Sequence, residues 1–228
     1  MSVQYRTMRA PHESASRFAY RILEMYILEM RLLPGEKLSE AEIAAKLGIS
    51  RTPVHNTFAQ LARGKMLSVE PQRGTFVPLL DSKQIPQIAR ICKKLDLATL
   101  ETIYSLHPTS KQLMPLYSRA ESEQDALTGG MLDRMARLNM EFHRELYVLS
   151  GFMSVHYAMR RIDADLYRLL RMTGDVDFWH GFTDRHLGIA DALQARDNDT
   201  ACFLMENEYE EVEPLLKQMQ ELHPGYFK

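Results

Sequence analysis

Cysteine is nearly absent from this chain of 228 residues: Cys92 and Cys202 are the only two. They are too few and too far apart for a disulfide scaffold or a Cys-based zinc site, so a reducing compartment is expected. Long hydrophobic runs are missing as well. No stretch approaches the roughly 18 uninterrupted apolar residues that a membrane helix needs. Nothing near Met1 combines a basic start, an apolar run and a small-residue cleavage site, and the expectation is an unexported, cytoplasmic protein with no membrane partner. There is no internal repeat, no low-complexity tract and no heptad pattern long enough for a coiled coil. His-Glu-x-x-His, Glu-x-x-His and adjacent His-Asp are absent too, which removes the common helical motifs of metal catalysis.

Strong net charge is also lacking, since 28 Lys/Arg stand against 30 Asp/Glu and leave −2. The balance hides an asymmetry. Residues 1–80 hold 11 Lys/Arg against 7 Asp/Glu, and the remainder holds 17 against 23, so the parts carry about +4 and −6. That division fits a basic reader of nucleic acid joined to an acidic domain that does not touch it. With 45% hydrophobic and 25% charged residues, the composition is that of an ordinary globular chain with one or two domains.

The stretch from Leu33 to Val77 is the most informative. Ser39 and Glu42 have capping-box spacing, which predicts a short helix from Glu40, with Ile43 and Leu47 inward and Gly48 ending it in the left-handed conformation. Ser50 is placed to cap a second helix whose first turn tolerates Pro53. Val54, Phe58 and Leu61 form its buried stripe, and Arg51, Thr52, His55 and Asn56 lie off that stripe near its start. Gly64 ends it. Met66–Val69 and Thr75–Val77 then read as strands around the turn Pro71-Gln72-Arg73-Gly74. With a preceding helix from Ser14, its inner face formed by Phe18, Ile22, Met25 and Leu28, the pattern is a winged helix-turn-helix. Residues 1–13, broken by Pro11, read as an arm. In such a domain the start of the recognition helix faces base edges in the major groove, and Arg73 on the wing reaches phosphate or the minor groove.

Three blocks in order, Leu33-Pro34-Gly35-Glu36-Lys37-Leu38-Ser39-Glu40, Leu47-Gly48-Ile49-Ser50-Arg51-Thr52-Pro53-Val54 and Arg73-Gly74-Thr75-Phe76-Val77, resemble the DNA-binding domain of the GntR family of bacterial transcription regulators. The resemblance implies that Ser50, Arg51, Thr52, His55, Asn56, Arg73 and Gly74 form the surface for double-stranded operator DNA. One departure stands out: the family usually has Arg-Glu-Ala-Leu after Pro-Val, and here His55-Asn56-Thr57-Phe58 follows. Replacing Arg by His removes a permanent bidentate guanine contact, so a different preferred operator is expected.

After the linker Leu79–Ser82 no strand is predicted. Helical periodicity recurs from Ile85 to before Pro108, with Ile85, Ile88, Ile91, Cys92, Leu95 and Thr99 on one face, and again over Leu113–Leu127, Met131–Ser150, Ser154–Met172, Phe178–Ala195 and Thr200–Leu222. Pro214 should kink or split the last. The fold class is therefore mainly α: a winged helix-turn-helix over residues 1–80, then an all-α bundle over 81–228, which the family resemblance implies binds effector and dimerises.

Asn139 and His143 share a face of the third bundle helix, and His186 and Glu208 on the fifth and sixth can meet them inside the bundle. The set is similar to the metal site of the FadR-type C-terminal (FCD) domain, with Asn139 in place of an Asp and Glu208 in place of a His. The resemblance implies one divalent cation of the zinc, nickel or manganese class held by Asn139, His143, His186 and Glu208. A metal-free polar cluster, with Glu208 accepting hydrogen bonds from the histidines, is the competing reading. The family often carries an Arg clamp for a carboxylate where this chain has Cys92. His12, His107, His156, His180 and His223 have no ligating spacing, and Trp179 either covers a pocket mouth or caps the bundle. The function implied is a homodimeric regulator, more often a repressor, controlled by a small metabolite, with organic acids the usual class. The alternative is a helical metalloenzyme carrying a DNA-binding domain.

Overall fold

A computed structural model of the chain describes residues 8–160 and 162–228. Residues 1–7 of the expected arm lie outside them. The chain divides into two compact units, Met1–Asp81 with Leu222–Lys228, and Ser82–Glu221. The last seven residues thus leave the bundle to which their sequence position assigned them: Leu80 N donates to Tyr226 O, Lys228 N donates to Leu80 O, and Leu80 pairs in parallel with Phe227.

In the first unit α1 (Ala15–Leu28) starts at Ser14, whose hydroxyl accepts from Arg17 N. Its buried face is Phe18, Ile22, Leu23, Tyr26 and Ile27, so the stripe is rotated from the expected one and Met25 and Leu28 are half-buried. A two-residue strand β1 (Lys37–Leu38) precedes α2 (Glu40–Leu47), where Ser39 Oγ accepts from Glu42 N and Gly48 has φ 65°. Next comes α3 (Arg51–Arg63), with Val54, Phe58 and Leu61 buried as their spacing requires. Ser50 occupies its N-cap position without a side-chain cap bond. Thr57 Oγ1 donates to Ser16 O, 3.1 Å away, and ties α3 to α1. The wing is β2 (Ser68–Glu70) with β3 (Gly74–Phe76) in an antiparallel sheet of order β1-β3-β2. β1, which no alternation over two residues can reveal, closes the other edge of β3.

The second unit is helical: α4 (Ile85–Leu106), α5 (Ser110–Thr128), α6 (Met135–Ser150), α7 (Met153–Met159), α8 (Ala164–Leu170), α9 (Val176–Ala195), α10 (Asn198–Glu210) and α11 (Val212–Leu222). Leu100, Leu113, Phe142, Leu146, Ile189 and Met205 fill its core, where α9 packs on α5 and α10 and α6 packs on α4 and α5. Ile91, placed inward by its spacing, is exposed, and Asp96 takes a buried place on the same helix. One predicted helix over residues 154–172 is two short ones. Asp163 and Asp165 sit at the start of the second, where carboxylates favour a helix N-terminus. The predicted split near Pro214 falls at Glu211, which leaves Pro214 in the first turn of α11, where its missing N–H has no intrahelical partner.

Candidate functional site

Arg51, Thr52, His55 and Asn56 are exposed on the first turns of α3, opposite its buried stripe, and Ser50 is exposed just before it. His55 Nδ1 lies 2.9 Å from Glu40 Oε1 at the start of α2. A carboxylate therefore stands on the recognition surface. On the wing, Arg73 pairs with Glu70, and its guanidinium lies 5.9 Å from the centre of the Phe76 ring. Lys37 from β1 approaches the same ring at 5.9 Å. Gly74 has φ 125°, a conformation that side chains with a Cβ rarely adopt, and a Cβ there would come within 2.7 Å of Lys37 Cε at the end of that flexible side chain. Exposed pairs of this kind contribute about 0–1 kcal/mol, so Arg73 can exchange Glu70 for a phosphate.

In the second unit five helices meet at a buried polar cluster. His143 Nε2 is 2.8 Å from Glu208 Oε1, and His186 Nε2 is 3.2 Å from Glu208 Oε2, so one carboxylate spans both rings. The outer nitrogens are held as well. His143 Nδ1 meets Asp96 Oδ2 at 2.8 Å, and His186 Nδ1 meets Glu123 at 2.8 and 2.9 Å. Tyr209 Oη donates to Asp96 at 2.6 Å, and Asn139 Nδ2 donates to Glu208 Oε1 at 3.2 Å. Phe142 stacks on His186 with ring centres 3.8 Å apart.

Burial opposes charge on His143, His186 and Glu208, and the partners outweigh it. For His186, Glu123 and Glu208 overcome desolvation and raise the imidazole to about 9. Glu208 and Asp96 likewise hold His143 well above its ordinary value. Glu208 is resisted by burial but held well below the carboxylate range by His143 and His186. Two added protons or one divalent cation offset the charge of the three carboxyl groups around the two imidazoles to the same extent.

A cavity of about 690 Å³, counting its open mouth, adjoins the cluster. Asp96, Asn139, His143 and Glu208 form its polar end, with Cys92, Tyr147, His156, Asp163 and Tyr209 nearby. Burial, with Asp96 and Asp163 nearby, pushes the Cys92 thiol up, leaving it an unreactive small side chain. No lysine or arginine is among the described lining residues. Trp179 is buried against Phe178 and Phe182, and of these three Phe182 faces the cavity.

Residues 15–77 match the family described as "Bacterial regulatory proteins, gntR family", and residues 87–211, more than half of the chain, match the FCD domain. The chain belongs to the GntR family, with an FCD domain. This GntR regulator is 26% identical over 222 residues to the HTH-type transcriptional repressor RspR of Escherichia coli strain K12, covering 97% of each chain. It is 27% identical over 178 residues to the "Probable D-xylose utilization operon transcriptional repressor" of Paenarthrobacter nicotinovorans, covering 78% of this chain and 77% of that protein. The fold is also that of the solved structure of E. coli McbR/YncC, with TM-score 0.77 at 21% identity over 90% of this chain and 98% of that one. The GntR regulator is thus a winged helix-turn-helix transcription regulator with a helical FCD domain, a kinship that does not favour the metalloenzyme alternative.

His143, His186 and Glu208 offer ligand atoms that all lie within 4.8 Å of one another, close enough together to hold a metal ion, as FCD domains can. The donor set fits: an outer carboxylate on each Nδ1 leaves each Nε2 facing Glu208, the arrangement that orients histidine ligands. Asn139 turns its amide nitrogen, not its oxygen, toward Glu208. Asp96, Glu123 and His156 were missed in the sequence. Glu123 interrupts the stripe Leu113, Leu116, Ala120, Leu127 at helical spacing, a legible sign of a buried charge. Asp96 stood one position from a residue assigned inward, and His156 has no spacing partner at all. Among the described residues, no helix is long and apolar enough to cross a membrane.

Proposed function

We propose that the chain is a homodimeric cytoplasmic repressor that reads operator DNA through Ser50, Arg51, Thr52, His55, Asn56, Arg73 and Gly74, and is released or engaged by a metabolite in the FCD cavity. The observation that carries this reading is the exposed, hydrogen-bonding start of α3 in one unit and a cavity ending in a buried ionisable cluster in the other. Two relatives named as repressors support repression. One winged helix covers only a half-site, and a pair is needed to read a palindrome. His143, His186 and Glu208, with Asn139 beside them, would hold a divalent cation of the zinc, nickel or manganese class. Such a cation supplies fixed positive charge joining α6, α9 and α10. The protein's own groups do the rest: Asp96 and Glu123 orient the imidazoles, and the cavity seats the effector. An effector acts by its differential affinity for the DNA-competent and incompetent states.

The test is selection of binding sites from random DNA by full-length protein, with sedimentation of the free and bound forms. A palindromic site bound by two chains is expected. Enrichment of no site, or a monomer on a single half-site, overturns the reading.

A further inference from the structure

We propose that Glu40 is a positioning residue that fixes the proton on His55, so that His55 accepts a hydrogen bond from the amino group of adenine or cytosine. The inference rests on His55 facing operator DNA, as described above, and names the base chemistry that this position selects. His55 Nδ1 lies 2.9 Å from Glu40 Oε1. Glu40 is the first residue of α2 and His55 lies near the start of α3, so the contact joins the two helices of the helix-turn-helix across the turn at Gly48. A carboxylate accepts hydrogen bonds and cannot donate them, so the proton of this contact belongs to Nδ1. In the neutral ring the other nitrogen, Nε2, is then bare and accepts.

The major groove turns that proton position into a preference. Adenine N6 and cytosine N4 are donors there, whereas guanine offers N7 and O6 and thymine offers O4 and a methyl group. An accepting Nε2 therefore pairs with an amino group, and set against guanine it leaves two acceptors face to face. Each base pair carries one such amino group, on one strand or the other, so the contact selects which strand holds it. Glu40 adds to the same bias, because a carboxylate on this surface also accepts from cytosine N4. Arg51 lies one helical turn before His55, is exposed on the same side and offers donors alone. The start of α3 thus presents a donor and an acceptor along one face, where the arginine usual at position 55 in the family would present two donors. In the free protein the pair is open to water, with the side chains of His55 and Glu40 68% and 39% exposed, and such a contact is weak. Docking on DNA excludes that water and strengthens the contact as the base is read.

The test uses full-length protein at about pH 8, above the ordinary range of histidine. Selection from random DNA by the parent and His55→Ala identifies the base pair that position 55 reads, as the one whose preference the variant erases. At that pair the amino-bearing base is then replaced by its analogue without the group, purine for adenine or pyrimidin-2-one for cytosine, and separately the purine is replaced by its 7-deaza form. Removing the amino group should weaken the parent about fivefold or more and leave His55→Ala unaffected, and removing N7 should cost the parent nothing through His55. In Glu40→Gln, whose amide donates as well as accepts, the sensitivity to the amino group should shrink while the preference that Arg51→Ala erases stays intact. Sensitivity is the readout because removing a negative charge strengthens binding to every sequence. Nitrogen NMR of the His55 ring, assigned by its loss in His55→Ala, should show the proton on Nδ1 in the parent and partly on Nε2 in Glu40→Gln. If Glu40→Gln fails to fold, the parent's ring and the base analogues still decide. Tolerance of amino removal, dependence on N7 instead, a parent ring protonated on Nε2 alone, or a folded Glu40→Gln as sensitive as the parent overturns the proposal and leaves operator binding standing. No preference erased by His55→Ala overturns it as well. Enrichment of no site by the parent overturns the reading of operator DNA itself, and this assignment with it.

Discussion

Arg51 and Arg73 carry the same charge and are expected to fail differently when removed. Arg51 is exposed at the start of α3 where base edges are read, so Arg51→Ala should cost about 1–3 kcal/mol on the preferred operator and relax specificity at one base. Arg73 on the wing serves phosphate, so Arg73→Ala should weaken binding on all sequences and reduce the salt slope by about 1. Anisotropy titrations at several salt concentrations separate the two, and identical behaviour of the variants would refute the division. Glu40 adds a charge of the wrong sign to this surface, 2.9 Å from His55. Glu40→Gln should tighten DNA binding at low salt, with the gain fading as salt rises; an unchanged affinity would show that the carboxylate faces no phosphate. At the cluster, Asn139→Asp places a second carboxylate beside Glu208. It should lower the melting temperature in chelator and raise it with added zinc or nickel, since a new anionic donor meets a cation in one case and only Glu208 in the other. The same sign in both conditions would mean no metal binds there.

At the scale of elements, the turn between α2 and α3 rests on Gly48, whose φ of 65° suits glycine and strains any residue with a Cβ. Nothing lies within 4 Å of where that Cβ would stand, so backbone strain is the whole cost. Gly48→Ala should destabilise by about 1–2 kcal/mol in denaturant melts. Operator affinity per folded molecule should survive, because the exposed residues at the start of α3 are unchanged. A variant as stable as the parent would show that the turn relaxes.

For the whole molecule, the cluster links stability to pH from both sides. His186 is raised from 6.5 to about 9, so its contribution is complete below 6.5 and is lost as pH rises through about 9. Glu208 is lowered from 4.5, so its contribution is complete above 4.5 and is lost as pH falls through its depressed value. Chelator-treated protein should therefore melt highest between pH 4.5 and 6.5, with a decline toward pH 9 that Glu123→Gln makes shallower. A melting temperature flat from pH 6.5 to 10 would refute the charged state of the pair.

The sequence by itself determined the local grammar: Ser39 and Gly48 bracketing α2, the Val54, Phe58 and Leu61 stripe of α3, the turn at Gly74, and the mainly helical character of the second half. Those features depend on spacing over a few residues and on backbone preferences that each residue carries with it. The approach of His143 and His186 was legible only through family resemblance. Glu208 was expected beside them on the same ground, and tertiary structure alone decided the two outer carboxylates. Asp96 and Glu123 come from α4 and α5, and their meeting with the histidines depends on how the helices pack, which no spacing along one helix encodes. It also decided the short strand β1, the fate of Leu222–Lys228 and the turning of Asp163 into the cavity. Each of these depends on partners distant along the chain, whose contacts outweigh local preference.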